Sequence, residues 1–403
     1  MVQCGKRRSV AWVIAASTFG LLVPAVAAQD ERALMLDLGL HSASDASILG
    51  GIVVGQQYTE QNQWRAVRWT APGTIENLGT LGGVSSFGRG VSALGDVVVG
   101  QSYNADNRWR AFRWVAPGPM VELAPLDGVR SEAFAVSDDG LVTVGWAEVP
   151  GGWRKAARWV GNGLPENLTG NADSEGYGVN ADGSVVVGII RTGASSYRPF
   201  VWSQPTGVTI LPSFGGQIGS AQAVSADGTV VAGMAGDANQ NLLAFRWTAE
   251  HGMLALGTLG GTSSAATGIS ADGSVIVGWS RDSQNRKRAF RWDAIAGMVD
   301  IGTLGGNEAE ATGISTNGQY IVGNAQNAQG QWRAFRFGPG GPPPPPPECP
   351  ADLNADGVLD FFDVQLFLSL FAAQDARADF TADGFFNFFD VQAFLAAFSE
   401  GCP

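Results

Sequence analysis

Short apolar runs that close on glycine recur along most of the chain, each followed by a polar stretch and an aromatic one. The closing glycines are Gly55, Gly100, Gly145, Gly188, Gly233, Gly278 and Gly323, spaced 45, 45, 43, 45, 45 and 45 residues apart. A second run alternates basic and aromatic residues, as in Arg110-Ala111-Phe112-Arg113-Trp114. It ends at Trp69, Trp114, Trp159, Trp202, Trp247, Trp292 and Phe337 with the same six spacings. Two registers that agree this closely define seven repeats of one unit. Each unit reads as four short strands. The first is built of small residues, as in Ala223-Val224-Ser225, and ends in a tight turn. That turn has a glycine five residues before each closing glycine (Gly50, Gly95, Gly140, Gly183, Gly228, Gly273 and Gly318). Asp-Gly and Asn-Gly in several copies favour a hairpin, because both residues tolerate positive φ. The glycine-closed run, the aromatic run and a segment such as Met298 to Gly306 supply the other three strands.

Four strands in about 45 residues is the size of a propeller blade. The rival architecture is a β-solenoid, which needs polar caps at its ends. Here the chain opens at Leu34-Met35-Leu36-Asp37-Leu38-Gly39, which matches a fourth strand, and the last repeat stops at Phe337 after a third strand. The two incomplete ends make one whole unit. The expectation is an all-β seven-bladed β-propeller over residues 33–337, with the N-terminal strand closing the last blade. Third-strand arginines recur nine residues before polar or acidic residues of the fourth strand: Arg68 with Asn77, Arg113 with Glu122, Arg158 with Asn167, Arg291 with Asp300. Treated as cross-strand neighbours, they predict Arg336 beside Asp37 at the closure.

The ends of the chain differ from this array. Lys6, Arg7 and Arg8, an apolar run from Val10 to Val23, and Ala25-Val26-Ala27-Ala28 have the layout of a secretory signal peptide over residues 1–28. The alternative is an uncleaved membrane anchor, and Pro24 with the alanine-rich end favours cleavage. No later stretch is long and apolar enough to span a bilayer, so the mature chain is expected to carry no transmembrane anchor and to be extracellular or at the cell surface. Loss of three cations takes the net charge from −12 to −15, which argues against nucleic acid as a partner. Residues 338–348 form a proline-rich linker with six consecutive prolines, stiff and extended.

Residues 349–403 form a small acidic module. Asp352, Asn354, Asp356, Asp360 and Asp363 stand at positions 1, 3, 5, 9 and 12 of a twelve-residue loop, with Gly357 at position 6. Asp379, Thr381, Asp383, Asn387 and Asp390 repeat that spacing 27 residues on, with Gly384. Such spacing wraps oxygens around one Ca²⁺, and the backbone carbonyls of Val358 and Phe385 add a ligand each at position 7. Two Ca²⁺ ions are expected, the second held more weakly because Thr381 is neutral. Apolar helical stretches, Val364 to Phe371 and Val391 to Phe398, follow the loops. The module is thus expected to be a small α-helical EF-hand-like domain. Cys349 and Cys402 flank it, and an even cysteine count in an exported chain reads as a disulfide.

The repeats resemble those of the HAF-repeat extracellular proteins, on Leu78-Gly79-Thr80-Leu81-Gly82-Gly83, Leu256 to Gly261 and the Ala-Phe-x-Trp strand. Arg110, Arg288, Arg333 and Leu243 stand where that family usually has histidine. The resemblance implies an extracellular location and a repeat fold, and no established chemistry. The C-terminal module resembles a type I dockerin from Asp352 to Phe398, and its Gly401-Cys402-Pro403 ending is similar to that of a subgroup of dockerin-like anchoring tails. This implies a cohesin-like or cell-surface anchoring partner. Loop positions 10 and 11, which help choose the partner in dockerins, are Phe361-Phe362 and Phe388-Phe389 here, where hydroxylated residues are common.

Catalytic motifs are scarce. The two histidines, His41 and His251, occupy unrelated places in the repeat, so a His-based acyl transfer is not expected. Asp106, Asp138, Asp139, Glu148, Asp173, Glu175, Asp237 and Asp282 lie in turns or hairpins and read as loop solvation. Trp64, Trp109, Tyr197 and Trp332 recur just before the aromatic strand. They are candidates to stack on a ligand, or else to cover the blade edge. The expected function is a secreted, non-enzymatic binding or scaffold propeller for a glycan or protein ligand, displayed through a calcium-dependent tail. The alternative is a carbohydrate-active enzyme, a polysaccharide hydrolase or lyase, delivered by the same tail.

Overall fold

The computed structural model describes residues 34–47, 50–71, 73–338, 351–353, 359, 361–372, 376–378, 380, 386 and 388–400. Residues 34–338 are all β, and each repeat forms an antiparallel up-and-down meander of four strands around a common axis. In the second repeat these are Gly82–Val91, Val97–Asn104, Trp109–Val115 and Met120–Glu122.

The turn between the first two strands is built the same way each time. A serine or asparagine side chain accepts the N–H five residues on: Ser47 from Ile52, Ser92 from Val97, Asn180 from Val185, Ser315 from Tyr320. The second strand is Val, Ile and Ala, packed on both faces. Its closing glycine is required by crowding: a Cβ on Gly100 would lie 2.0 Å from the Phe87 carbonyl oxygen. The ring of the third-strand Phe112 covers the same spot, and Phe112, Phe200, Phe245, Phe290 and Phe335 are fully buried. Burying an aromatic ring of this size removes roughly 150–250 Å² from water. Between repeats, buried serines accept the main-chain N–H of the preceding third strand: Ser86 from Ala66, Ser131 from Ala111, Ser174 from Ala156, Ser264 from Ala244.

The expectation of seven separate blades is corrected. Five four-stranded sheets stand as blades, and the strands of the fourth and fifth repeats share one eight-stranded sheet. The junction is a single parallel bridge between Tyr197 and Ile218. Glycine eases the approach, since a Cβ on Gly219 would sit 3.1 Å from Pro199 Cδ.

The strand Leu34–Asp37 pairs with Trp332–Gly338, with Leu36 opposite Arg336 and Asp37 opposite Phe335. The predicted Arg336–Asp37 contact is therefore wrong by one residue. Asp37 instead binds Arg333 at 3.2 Å. The same shift recurs elsewhere: Glu122 pairs with Arg110 (2.7 Å) and Asp300 with Arg288 (2.8 Å), while Arg68 binds Glu76 (2.9 Å) and Arg158 binds Glu166 (3.5 Å).

C-terminal to the propeller, two α-helices, Phe361–Ala372 and Phe388–Glu400, carry Asp363 and Asp390 in their first turns, where a carboxylate complements the helix dipole. Phe367 and Phe394, 27 residues apart, stack at 4.1 Å with planes 3° apart. The duplicated sequence thus meets itself in one small core with Leu366 and Leu370. No helix of the described residues is long and apolar enough to cross a membrane.

Candidate functional site

A β-bulge falls at the same position in every innermost strand. Ser44, Arg89, Phe134, Tyr177, Gln222, Thr267 and Thr312 each drop out of the pairing. A bulge re-aims the extra side chain, and all seven line one axial cavity of about 330 Å³. Hydroxyls in this ring donate to the next repeat: Ser44 to Gly88 O (2.9 Å), Thr267 to Ala311 O (2.9 Å), Thr312 to Ala43 O (3.1 Å). The Phe134 and Tyr177 rings meet edge to face at 5.2 Å. Beside this ring the hairpin turns are linked by main-chain bonds from one repeat to the next, Ala93 to Asp138, then Ala181, Ala226, Ala271 and Thr316, at 2.9–3.2 Å.

Two carboxyl groups face this cavity. Asp45 stands where the other repeats have Gly90, Ala135, Gly178, Ala223, Gly268 and Gly313. It accepts the N–H of Ala46 (2.8 Å) and of Val91 (3.1 Å). Burial outweighs these bonds and pushes its pKa up to about 7, with a smaller contribution from the charge of Asp138. Burial also raises Asp138 to about 6, aided by Asp139.

On the rim where the second strand ends and the third begins, aromatic rings form a row. Trp64 meets Tyr58 at 4.9 Å and His41 at 5.8 Å. Trp109 stacks on Phe87 at 5.6 Å, meets Tyr103 at 4.8 Å, and donates to Gln101. Two grooves open beside this row. One, of about 500 Å³, is lined by Tyr103, Arg108, Trp109, Arg130, Glu132, Trp146 and Arg154. The other, of about 370 Å³, is lined by Trp153, Arg154, Asp173, Glu175, Tyr177 and Tyr197. Arg154 borders both. It lies 4.2 Å over the Trp146 ring and binds Glu175 at 2.6 Å. Tyr177 donates to Glu175 at 3.0 Å, and burial holds its phenol well above the ordinary value. Burial also raises Glu132, although Arg89 pairs with it at 3.2 Å.

These grooves have a cause in the sequence. The innermost strands Gly82–Val91, Gly215–Val224, Gly260–Ile269 and Gly305–Ile314 are ten residues long, and their leading glycines run beside the polar hairpin. The third and fourth repeats lack the Gly-Gly start, and their strands begin only at Ser131 and Ser174. In the first repeat, His41 takes that edge, its Nδ1 accepting the Tyr58 N–H at 3.3 Å.

Of the four predicted ligand-contact residues, Trp109 and Tyr197 line the grooves, Trp64 is held in the aromatic row, and Trp332 stands 41% exposed beside the closing strand. Of the acids read as loop solvation, Asp138 lines the cavity and Asp173 and Glu175 line the second groove. Glu148 is buried and binds Arg130 at 2.8 Å. Asp237 and Asp282 accept the N–H groups of their own hairpins. Sequence reasoning missed Asp45, Arg89, Arg130 and Arg154, although a carboxylate at a position otherwise Gly or Ala marked the first.

In the C-terminal module, Asp352, Asp363 and Asp390 are buried. Asn354, Asp356, Val358, Asp360, Asp379, Thr381, Asp383, Phe385 and Asn387 lie outside the described residues, as do Cys349 and Cys402. Among the described residues no three metal-ligating side chains cluster. Phe361 is 72% exposed, and the side chains of Phe362, Phe388 and Phe389 are outside the description.

No protein-family model and no curated relative matches the chain. Solved structures share its propeller fold. A puromycin hydrolase aligns with TM-score 0.52 and 18% identity over 73% of this chain and 51% of its own, so the chain spans about half of that enzyme. The β-propeller domain of the Trilobed protease from Pyrococcus furiosus aligns with TM-score 0.51 and 9% identity, over 78% of this chain and 99% of its own. Kuenenia stuttgartiensis hydrazine synthase aligns with TM-score 0.51 and 10% identity, over 74% and 96%. At these identities the likeness is one of fold.

Proposed function

We propose that this protein is an exported, non-enzymatic binding propeller, of the HAF-repeat kind, held at a cell surface or extracellular assembly by a calcium-dependent, dockerin-like tail. The observation that carries the binding role is the placement of Trp109 and Tyr197 in adjoining grooves among arginine and carboxylate side chains. Concave sites with aromatic walls and a few convergent polar groups are the usual form of a ligand site. A glycan fits such walls, since rings of Trp and Tyr present flat apolar faces with a polar edge. The tail supplies attachment: two calcium loops and a helix pair, with a cohesin-like or other anchoring protein as partner. The test is retention of the full secreted chain on a panel of immobilised polysaccharides. Retention without sugar release supports the binder. Absence of retention on every polysaccharide, together with no sugar release, defeats it.

A second reading, a polysaccharide hydrolase or lyase, draws on Asp45 and Asp138. Both face one cavity and both hold protons more tightly than ordinary carboxylates, as a general acid must. Sugar release that disappears in Asp45→Asn would establish it.

A further inference from the structure

We propose that the arginine-lined groove between the second and third repeats is the ligand site, and that it takes an anionic polysaccharide bearing carboxylates on its sugar rings. This rests on the binding reading above and narrows it to one sector and one charge class. The first groove is lined by three guanidinium groups, Arg108, Arg130 and Arg154, against a single acid, Glu132. Arg130 and Arg154 are oriented by ion pairs with Glu148 and Glu175. Arg108 stands exposed at the hairpin tip and makes no ion pair among the described residues. A guanidinium matches a carboxylate in two parallel hydrogen bonds, so such a groove selects for charge as well as shape. The aromatic wall of Tyr103 and Trp109 supplies the stacking surface. Aliphatic lining is confined to Val129 in the first groove and Ile189 in the second. A protein partner would need a larger apolar centre. The adjoining groove carries Asp173 and Glu175 against Arg154 alone, so the anionic sugars lie in the first groove and the second bounds the site.

The net charge, −12 for the full sequence and −15 without the three N-terminal cations, repels a polyanion at long range. Retention would therefore report the local cations and not a general attraction.

The full secreted chain should bind polygalacturonate and lose that binding when the same polymer is methyl-esterified. Arg108→Gln should weaken binding about tenfold and Arg108→Lys should recover only part of it, since an ammonium keeps the charge without the paired hydrogen bonds, with unchanged circular dichroism in both. Equal binding of the esterified polymer, or no effect of Arg108→Gln, overturns the proposal. Binding of neutral polysaccharides alone overturns it while leaving the broader binding role intact. Failure to bind any polysaccharide overturns both.

Discussion

Arg336 donates to the main-chain carbonyl of Gly50 across 3.1 Å, although 286 residues separate them. The bond continues a series. Arg68 reaches Gly95 O, Arg113 reaches Gly140 O and Arg158 reaches Gly183 O, each on the turn of the following repeat. The last repeat therefore treats the first as its successor. The Arg336 guanidinium is buried, 4.7 Å above the Tyr320 ring and 5.8 Å from that of Trp69, and burial lowers its pKa from the ordinary value. Arg336→Ala should destabilise the propeller by about 2 kcal/mol, the usual size for a charged hydrogen bond. Arg246 has no such bond among the described residues, and Arg246→Ala should cost less than half as much. Urea unfolding followed by tryptophan fluorescence checks this, and equal losses in the two variants would refute the role of Arg336.

Gly50 itself offers a second test. Its φ is +61°, and a Cβ there would lie 2.6 Å from Tyr320 Cβ. Gly50→Ala combines left-handed strain with overlap, and should cost roughly 2–4 kcal/mol. Gly39 has φ +74° with nothing within 4 Å of a Cβ. There only the strain applies, about 1 kcal/mol. Thermal unfolding should place Gly50→Ala well below Gly39→Ala, and the reverse order would show that the closure is not crowded.

The register error at the closure shows how far the repeats could be read. Joint variation between the third and fourth strands is visible in the sequence, but the nine-residue spacing picks the wrong arginine for Glu122 and Asp300 and the wrong partner for Arg68 and Arg158. Glu122 lies opposite Phe112, so its same-face neighbour is Arg110, two residues along, while Arg113 faces the other side. A slip of one residue exchanges the faces of a strand, and nothing in the spacing alone distinguishes the two assignments. Repeat boundaries, turn glycines and strand order follow from periodicity and were legible. The grooves were not, because each is assembled by side chains from more than one repeat around a segment that is missing.

Asp45 and Asp138 predict a pH dependence. The unfolded carboxyl titrates near 4, and the folded groups titrate at about 7 and about 6. The folded state therefore binds more protons across this interval, and its stability falls as pH rises from about 4 to about 7, then levels off. Asp45→Asn should flatten that slope. No tryptophan follows Trp332 and Trp12 alone precedes Trp64, so fluorescence of a chain cleaved after residue 28 reports the propeller alone. Denaturant midpoints at pH 4.5 and pH 8 that differ equally in both proteins would exclude Asp45 as the source.

If the tail holds the Ca²⁺ ions proposed for it, their removal should unfold the two helices, because so small a module would draw much of its stability from them. Excess EDTA should abolish the helical circular dichroism of the full chain while leaving tryptophan fluorescence unchanged. Retained helicity would overturn the calcium assignment. Intact mass should also show the chain two hydrogen atoms lighter than with Cys349 and Cys402 as free thiols. Closing about 50 residues in this way contributes roughly 4 kcal/mol.

The strand Trp332–Gly338 lies inside its sheet, with six residue pairs to Ile321–Asn327 on one side and four to Leu34–Asp37 on the other. The proline linker leaves from its end. A pull on Gly338 directed along this strand would run at right angles to its hydrogen bonds. The bonds on both flanks are then loaded together in shear instead of being unzipped one by one. The place where the N-terminal strand meets the last repeat is thus built to resist a load along the strand.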